Sequence, residues 1–273
     1  MFFLNRALFL IKFVINMNSI IENDPFYYYS LIGWIIFGLI IFFVLIIFNK
    51  IPTYGRYFPK KGILLNNRLG WILMEAPTLI LMPYFTFNGN NYPNEVIICF
   101  LCLYIIHYIN RTLIFPFRLK FKKNKIPIHI VISAAFFNLC NTFFIGYYFG
   151  NLAKYETTWF QTPYFISGII VFFVGMYINQ QSDSILINLR KDNNDNYKIP
   201  FGGMFKYISC PNYFGEILEW LGFAILTCNM PTLAFMLWTC FNLIPRAIRH
   251  HNWYKSNFKE YPKKRKAILP HLL

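Results

Sequence analysis

The chain of 273 residues is 56% hydrophobic and only 14% charged, with 32 phenylalanines and a mean hydropathy of +0.40. Soluble domains carry about 25% charged residues, so these figures exclude an ordinary water-soluble globule, and with it intrinsic disorder, collagen and coiled coil. The formal net charge of +15 suits either a nucleic acid or a membrane surface, and the placement of the basic residues decides between them.

Residues 1–26 open with an apolar stretch interrupted by Arg6 and Lys12 and close on Asn23, Asp24 and Pro25. Lacking a small-residue cleavage site, they read as a leader, either an interfacial amphipathic helix or a loosely ordered segment. Seven apolar segments follow, at about 27–48, 69–87, 96–116, 127–150, 162–181, 213–228 and 231–248, each near the roughly 20 residues that cross hydrocarbon. The expected fold class is all-α, a polytopic integral membrane protein of about seven transmembrane helices. Loops 49–68, 117–126 and 182–212 and the tail from 246 onward hold 22 of the 26 Lys and Arg residues, and the alternate loops hold almost none. The positive-inside rule then puts these loops and the C-terminus in the cytosol. No nucleic-acid partner is needed, no obligatory protein partner is evident, and the run Lys263-Lys264-Arg265-Lys266 suits anionic lipid head groups. The six cysteines, Cys99, Cys102, Cys140, Cys210, Cys228 and Cys240, lie mostly inside apolar runs and read as buried small apolar residues.

Ionisable groups at membrane depth are costly and mark function. Glu75 lies in the second segment, followed by Pro77, and His107, Tyr108 and Arg111 lie in the third, with Tyr104, Tyr108 and Arg111 on one helical face. A tyrosine and a carboxylic acid that keeps its proton can together donate to a substrate carbonyl; a plain inter-helix hydrogen bond is the other reading. Further along, Asn179, Asp183 and Arg190 recur at spacings of four and seven and form one stripe. Tyr197 and Lys198 lead into Ile199-Pro200-Phe201-Gly202-Gly203, whose glycines let backbone approach a ligand closely. Asn212, Glu216 and Glu219 share a face, and so do Asn242, Arg246, Arg249 and Trp253, with His250, His251 and Tyr254 at its edge. Arginines suit phosphate, and acids or amides suit ribose hydroxyls and a carboxamide, so the three faces together point to a large anionic ligand. Salt bridges of Asp183 with Arg190 or Glu219 with Arg246 are the structural alternative. No G-x-G-x-x-G, G-x-x-x-x-G-K-[ST], H-E-x-x-H or G-x-S-x-G string occurs, and His250 and His251, being adjacent, point in different directions on a helix, so no metal is expected.

Several long strings then resemble one family, the steroid 5α-reductases or 3-oxo-5α-steroid 4-dehydrogenases. They are Ile199-Pro200-Phe201-Gly202-Gly203 through Asn212-Tyr213-Phe214-Gly215-Glu216-Ile217-Leu218-Glu219-Trp220, then Arg246-Ala247-Ile248-Arg249-His250-His251-Asn252-Trp253-Tyr254, then Tyr261-Pro262-Lys263-Lys264-Arg265. Upstream, Tyr54-Gly55-Arg56-Tyr57, Met74-Glu75-Ala76-Pro77, His107-Tyr108 with Arg111, and Gly175 through Asp183 extend the resemblance over about residues 30–273. It implies that residues 27–273 are a seven-helix membrane reductase domain with a cytosolic C-terminal cofactor-binding region, in the endoplasmic reticulum membrane. The implied reaction is NADPH-dependent reduction of the Δ4 double bond of a 3-oxo-Δ4 steroid, reached from the bilayer, to the 3-oxo-5α-steroid by hydride transfer to C5. Matched position by position, Glu75 and Tyr108 hold the substrate 3-oxo group. Asn179, Asp183, Arg190, Tyr197, Lys198, Asn212, Glu216, Arg246, His250 and Tyr254 contact the dinucleotide. Lys198 stands where relatives commonly carry Arg, which keeps the charge but loses the planar fork. A membrane reductase of polyprenol or another lipophilic enone is the nearer alternative, and an integral-membrane methyltransferase the farther one.

Overall fold

The computed structural model describes residues 2–48, 62–119, 125–189, 197–270 and 272–273. In chain order they form α1 (Phe2–Asn23), α2 (Pro25–Ile47), β1 (Leu64–Asn66), α3 (Asn67–Phe87), α4 (Glu95–Ile109), α5 (Phe115–Arg118), β2 (Lys125–Pro127), α6 (Ile128–Tyr147), α7 (Pro163–Asn188), α8 (Pro211–Thr227) and α9 (Met230–Asn257). All seven apolar segments fall on helices. Five stretches, Pro25–Ile47, Asn67–Phe87, Glu95–Arg118, Ile128–Leu152 and Pro163–Asn188, are long and apolar enough to cross a membrane. The sixth segment is the 17-residue α8, and the seventh is the first part of the 28-residue α9, which runs on through Arg246 and Arg249. Ile40 of α2, Ile80 of α3, Ile132 of α6 and Ile170 of α7 are 54%, 70%, 62% and 58% exposed, an outward apolar surface that lipid, not water, can cover. The protein is all-α and multi-pass. The same lipid corrects one expectation: Cys210 and Cys228 are buried, but Cys102 is exposed and Cys99, Cys140 and Cys240 are half-buried. An apolar run in a membrane helix can face hydrocarbon as readily as protein.

Two compact units make up the fold. The first comprises the described residues within Met1–Leu31, Ile51–Phe165 and Asn229–Pro231. Its principal helix pair is α3 with α6, and a two-stranded antiparallel ribbon fixes where both begin, because Leu64, Leu65 and Asn66 pair with Pro127, Ile126 and Lys125 directly ahead of the two helices. Asn66 also caps α3, its side-chain oxygen accepting from the Arg68 and Leu69 amides at 2.9 and 3.3 Å, which satisfies two of the donors a helix start leaves open. Asn94 caps α4 in the same way through Ile97 N at 3.2 Å. After Ile109 the backbone widens into a π-turn, Asn110–Ile114, before resuming as α5, a feature common at functional sites. Residues 2–23 form one continuous helix, in which Lys12 lies 4.7 Å above the Trp159 ring, Asn16 donates to the Tyr148 hydroxyl and Ile20 is buried.

The second unit comprises the described residues within Ile32–Lys50, Ile166–Cys228 and Thr232–Leu273. Its α7 and α8 run antiparallel along a seam of glycines spaced seven residues apart on each helix, Gly168 and Gly175 against Gly222 and Gly215. A methyl on Gly175 would lie 2.3 Å from the Glu219 backbone nitrogen, and one on Gly215 would lie 2.4 Å from that of Asn179. The two backbones therefore touch, the arrangement that small residues permit between membrane helices, where dispersion contacts replace the hydrophobic drive. The α2 stretch after Leu31 joins this unit through Trp34, whose carbonyl accepts from Trp238 Nε1 at 3.0 Å while the two indoles stack at 4.5 Å. Arg249 donates from Nη2 to the Leu45 carbonyl at 3.1 Å, supplying one of the acceptors in the last turn of α2 with a cation, which the helix dipole favours.

Because the seam has no room for Cβ, Gly175→Ala and Gly215→Ala should each destabilise the protein by about 1–3 kcal/mol, the usual range for overpacking a filled interface. Gly33→Ala, where no described atom lies within 4 Å of the new methyl, should cost nothing. Thermal unfolding in detergent, read as the temperature of half-loss of folded monomer, checks the contrast.

Candidate active site

In the first unit, Glu75 of α3 and Tyr108 of α4 are both buried, 9% and 2% exposed. They meet through a residue that the sequence reading passed over. Asn138 of α6 donates from Nδ2 to Glu75 Oε2 at 2.8 Å and to the Met74 carbonyl at 2.8 Å, and its Oδ1 accepts from the Tyr108 hydroxyl at 3.3 Å. Tyr104, one turn before Tyr108, packs its ring 4.6 Å from the Tyr108 ring and shares a hydrogen bond of 3.1 Å with Thr142, one turn after Asn138. His107 lies edge-on to Tyr108 at 5.1 Å. Arg111, at the head of the π-turn, lies 4.6 Å above Trp71 and 4.9 Å above Phe115, and such stacking offsets part of the cost of holding a guanidinium there. The acid and the tyrosine predicted as a donor pair are thus brought to one buried amide. This asparagine in an apolar segment gave no sign of its partners, because they lie 63 and 30 residues away.

In the second unit the glycine seam delivers α7 and α8 side chains to each other. Asn179 Nδ2 donates to the Asn212 carbonyl at 2.9 Å, and Asn212 Nδ2 to Asp183 Oδ1 at 3.3 Å, so three of the predicted cofactor residues form one chain of amides and acid. Glu216 follows Asn212 by one turn and is half-buried. His250 of α9 faces the same helix, its Nε2 3.4 Å from the Tyr213 hydroxyl. Arg246 has a buried Nε without a hydrogen-bond partner among the described residues. Tyr197 stands edge-on to Trp253 at 5.3 Å, Lys198 is exposed, and Tyr254 is buried against Ile199 and stacked on Tyr261 at 5.3 Å. Arg190 lies outside the described residues, as do Tyr54, Gly55, Arg56 and Tyr57.

The loop between α7 and α8 turns on Gly202 and Gly203, whose φ of 96° and 48° only glycine adopts readily. It is tied to the C-terminal tail by Arg265, which is 3% exposed, donates from Nη1 to the Pro200 carbonyl at 3.2 Å and lies 5.4 Å above Phe201. The basic run 263–266 is therefore not a uniform surface patch: Lys263, Lys264 and Lys266 are exposed, and the arginine between them turns inward because its fork can satisfy a buried carbonyl. A second tie centres on Ser209, whose hydroxyl meets His251 Nδ1 and the Tyr261 hydroxyl at 2.6 Å each and donates to the Lys266 carbonyl at 2.9 Å. Adjacent histidines thus serve opposite sides, His250 toward α8 and His251 toward the tail.

Burial, with Lys255, Arg265 and Lys266 nearby, holds the His251 imidazole below its ordinary value of 6.5. The unfolded chain then binds a proton at a pH where the folded one does not, so the stability of this tie is intact above about 6.5 and is lost as pH falls through the lowered folded value. The protection factors against hydrogen exchange of residues 205–212 and 261–268 should fall between pH 7.5 and 5.5, and His251→Gln should remove that pH dependence.

Residues 124–273 match the family described as 3-oxo-5-alpha-steroid 4-dehydrogenase. The chain is 39% identical over 253 residues to steroid 5-alpha-reductase DET2 of Solanum lycopersicum, covering 87% of this chain and 97% of that protein. It is 38% identical over 227 residues to 3-oxo-5-alpha-steroid 4-dehydrogenase 1 of Rattus norvegicus, with 81% and 86% covered, and 37% identical over 224 residues to the Homo sapiens protein of the same name, with 81% and 86% covered. The chain belongs to the 3-oxo-5-alpha-steroid 4-dehydrogenase family and is an oxidoreductase, not an integral-membrane methyltransferase.

Proposed function

We propose that this protein reduces the Δ4 double bond of a 3-oxo-Δ4 steroid to the 3-oxo-5α-steroid with NADPH as reductant. The observation that carries the reading is the pairing of Glu75 and Tyr108 on one buried amide at membrane depth, in a chain whose relatives are named for this reaction. NADPH, when bound, supplies the hydride that reaches C5. As C5 is reduced, negative charge grows on the 3-oxygen, and a tyrosine hydroxyl and a protonated carboxylic acid are two donors that stabilise it. Both act in a site shielded from water, where a donor has more effect than in solution. The steroid itself is lipophilic and reaches such a site from the bilayer.

The second unit fits the dinucleotide. Arg246, with its unpartnered buried Nε, suits a phosphate, and Asn179, Asp183 and Asn212 suit hydroxyls or a carboxamide. Arg190, Tyr197, Lys198, Glu216, His250 and Tyr254 complete the proposed contacts. The segregation of 22 of 26 basic residues to alternate loops and the tail supports a multi-pass protein with the C-terminus in the cytosol, and the endoplasmic reticulum membrane is the compartment that the family resemblance implies.

Membranes containing the protein should convert a 3-oxo-Δ4 steroid to its 5α product only when NADPH is present. Tyr108→Phe should lower kcat by about 10²–10³-fold, the usual effect of removing one oxyanion donor, with NADPH affinity unchanged. Arg246→Ala should instead raise the KM for NADPH by about tenfold or more, the loss of one charge-assisted hydrogen bond. Equal effects of both changes on cofactor binding would sink this division of labour. A folded, NADPH-binding protein that reduces a polyprenol or another lipophilic enone and no steroid would move the substrate assignment.

A further inference from the structure

We propose that Asn138 is the positioning residue of the donor pair, setting which oxygen of Glu75 carries the proton and which way the Tyr108 hydroxyl points. The inference rests on the reading of Glu75 and Tyr108 given above. It begins with the Met74 carbonyl, which can only accept. The Asn138 atom 2.8 Å from it is therefore the amide nitrogen, and this orientation needs no further assumption. The second N–H of the same nitrogen goes to Glu75 Oε2 at 2.8 Å. Both amide protons are then used, and Oδ1 is left facing the Tyr108 hydroxyl at 3.3 Å.

Two consequences follow from the donor and acceptor inventory. Oε2 of Glu75 receives an N–H, so a protonated Glu75 carries its proton on Oε1. The amide oxygen can only accept, so Tyr108 must donate to it. That bond is long, and an oxygen gathering negative charge is a better acceptor than a neutral amide, so a reacting 3-oxygen can draw the Tyr108 proton away from Asn138. Asn138 is anchored to the same turn of α3 that bears Glu75, and the Tyr104 ring stacked on Tyr108 limits where the phenol can swing. With the amide removed, Glu75 loses this N–H and Tyr108 this acceptor, while the cofactor residues of the second unit are untouched.

The test is a double-mutant cycle in membranes, with kcat and KM for steroid and NADPH measured for the wild type, Tyr108→Phe, Asn138→Leu and the double variant. Asn138→Leu keeps the side-chain size without hydrogen bonds. Its kcat should fall by about tenfold to a hundredfold, the scale of misplacing a catalytic group, with the KM for NADPH unchanged. The double variant should be no slower than the slower single one, because a residue acting through Tyr108 and Glu75 cannot add its loss to theirs. If Asn138→Leu does not accumulate in folded form, Asn138→Asp, which offers Tyr108 an oxygen but has no N–H for Glu75, should show the same kcat loss and unchanged NADPH KM. Fully additive losses, or equal losses of turnover and NADPH binding, would mean that Asn138 serves packing alone and overturn the inference. Slow Tyr108→Phe beside wild-type turnover in Asn138→Leu also overturns it while leaving the proposed function standing. Wild-type turnover in Tyr108→Phe overturns both.

Discussion

Hydrocarbon offers no hydrogen-bond partner, so every polar group carried into the membrane must find one within the protein. That constraint organises each unit. In the first, the one carboxylic acid of α3 is held by an amide from α6, which is itself held by the backbone of α3 and takes a phenol from α4. Tyr104 and Thr142 repeat the arrangement one turn along the same two helices. The result is a polar core two turns deep between helices that also expose large apolar side chains such as Ile80, Ile106 and Ile132. Networks of this kind fix geometry more firmly than isolated contacts do, since loss of any one member leaves another unsatisfied.

The second unit meets the same demand by bringing backbones together. Four glycines let α7 and α8 touch, and the closeness places Asn179 within reach of the Asn212 carbonyl and Asn212 within reach of Asp183. A single added methyl would separate the helices and with them the three polar residues. Packing and candidate site are therefore one feature here. The seam also accounts for the spacing of seven on each helix, two turns of an α-helix returning to nearly the same face.

The cations divide by how they are satisfied. Arg249 caps α2 through Leu45, Arg265 holds the glycine loop through Pro200, and Arg111 lies between Trp71 and Phe115. These are structural uses of a planar cation that aromatic faces and single carbonyls can accommodate. Arg246, one turn before Arg249, keeps a buried Nε without a hydrogen-bond partner among the described residues, as Arg265 does at its own Nε.

The sequence by itself determined the membrane class, the helical segments and the segregation of positive charge, because lipid imposes length and composition on every span locally. It also marked Glu75, Tyr108, Asn179, Asp183, Asn212 and Arg246, since ionisable or amide groups beside apolar runs stand out wherever they occur. Tertiary structure alone decided what joins them. Asn138 has no partner on its own helix and takes its meaning from Met74, Glu75 and Tyr108, three residues on two other helices. Arg265 reads as one of four adjacent cations until folding turns it onto Pro200, and Gly168, Gly175, Gly215 and Gly222 read as ordinary small residues until two backbones meet across them. Local patterns report what a residue needs from its solvent, whereas which distant group satisfies a buried donor or acceptor is fixed only when the helices pack.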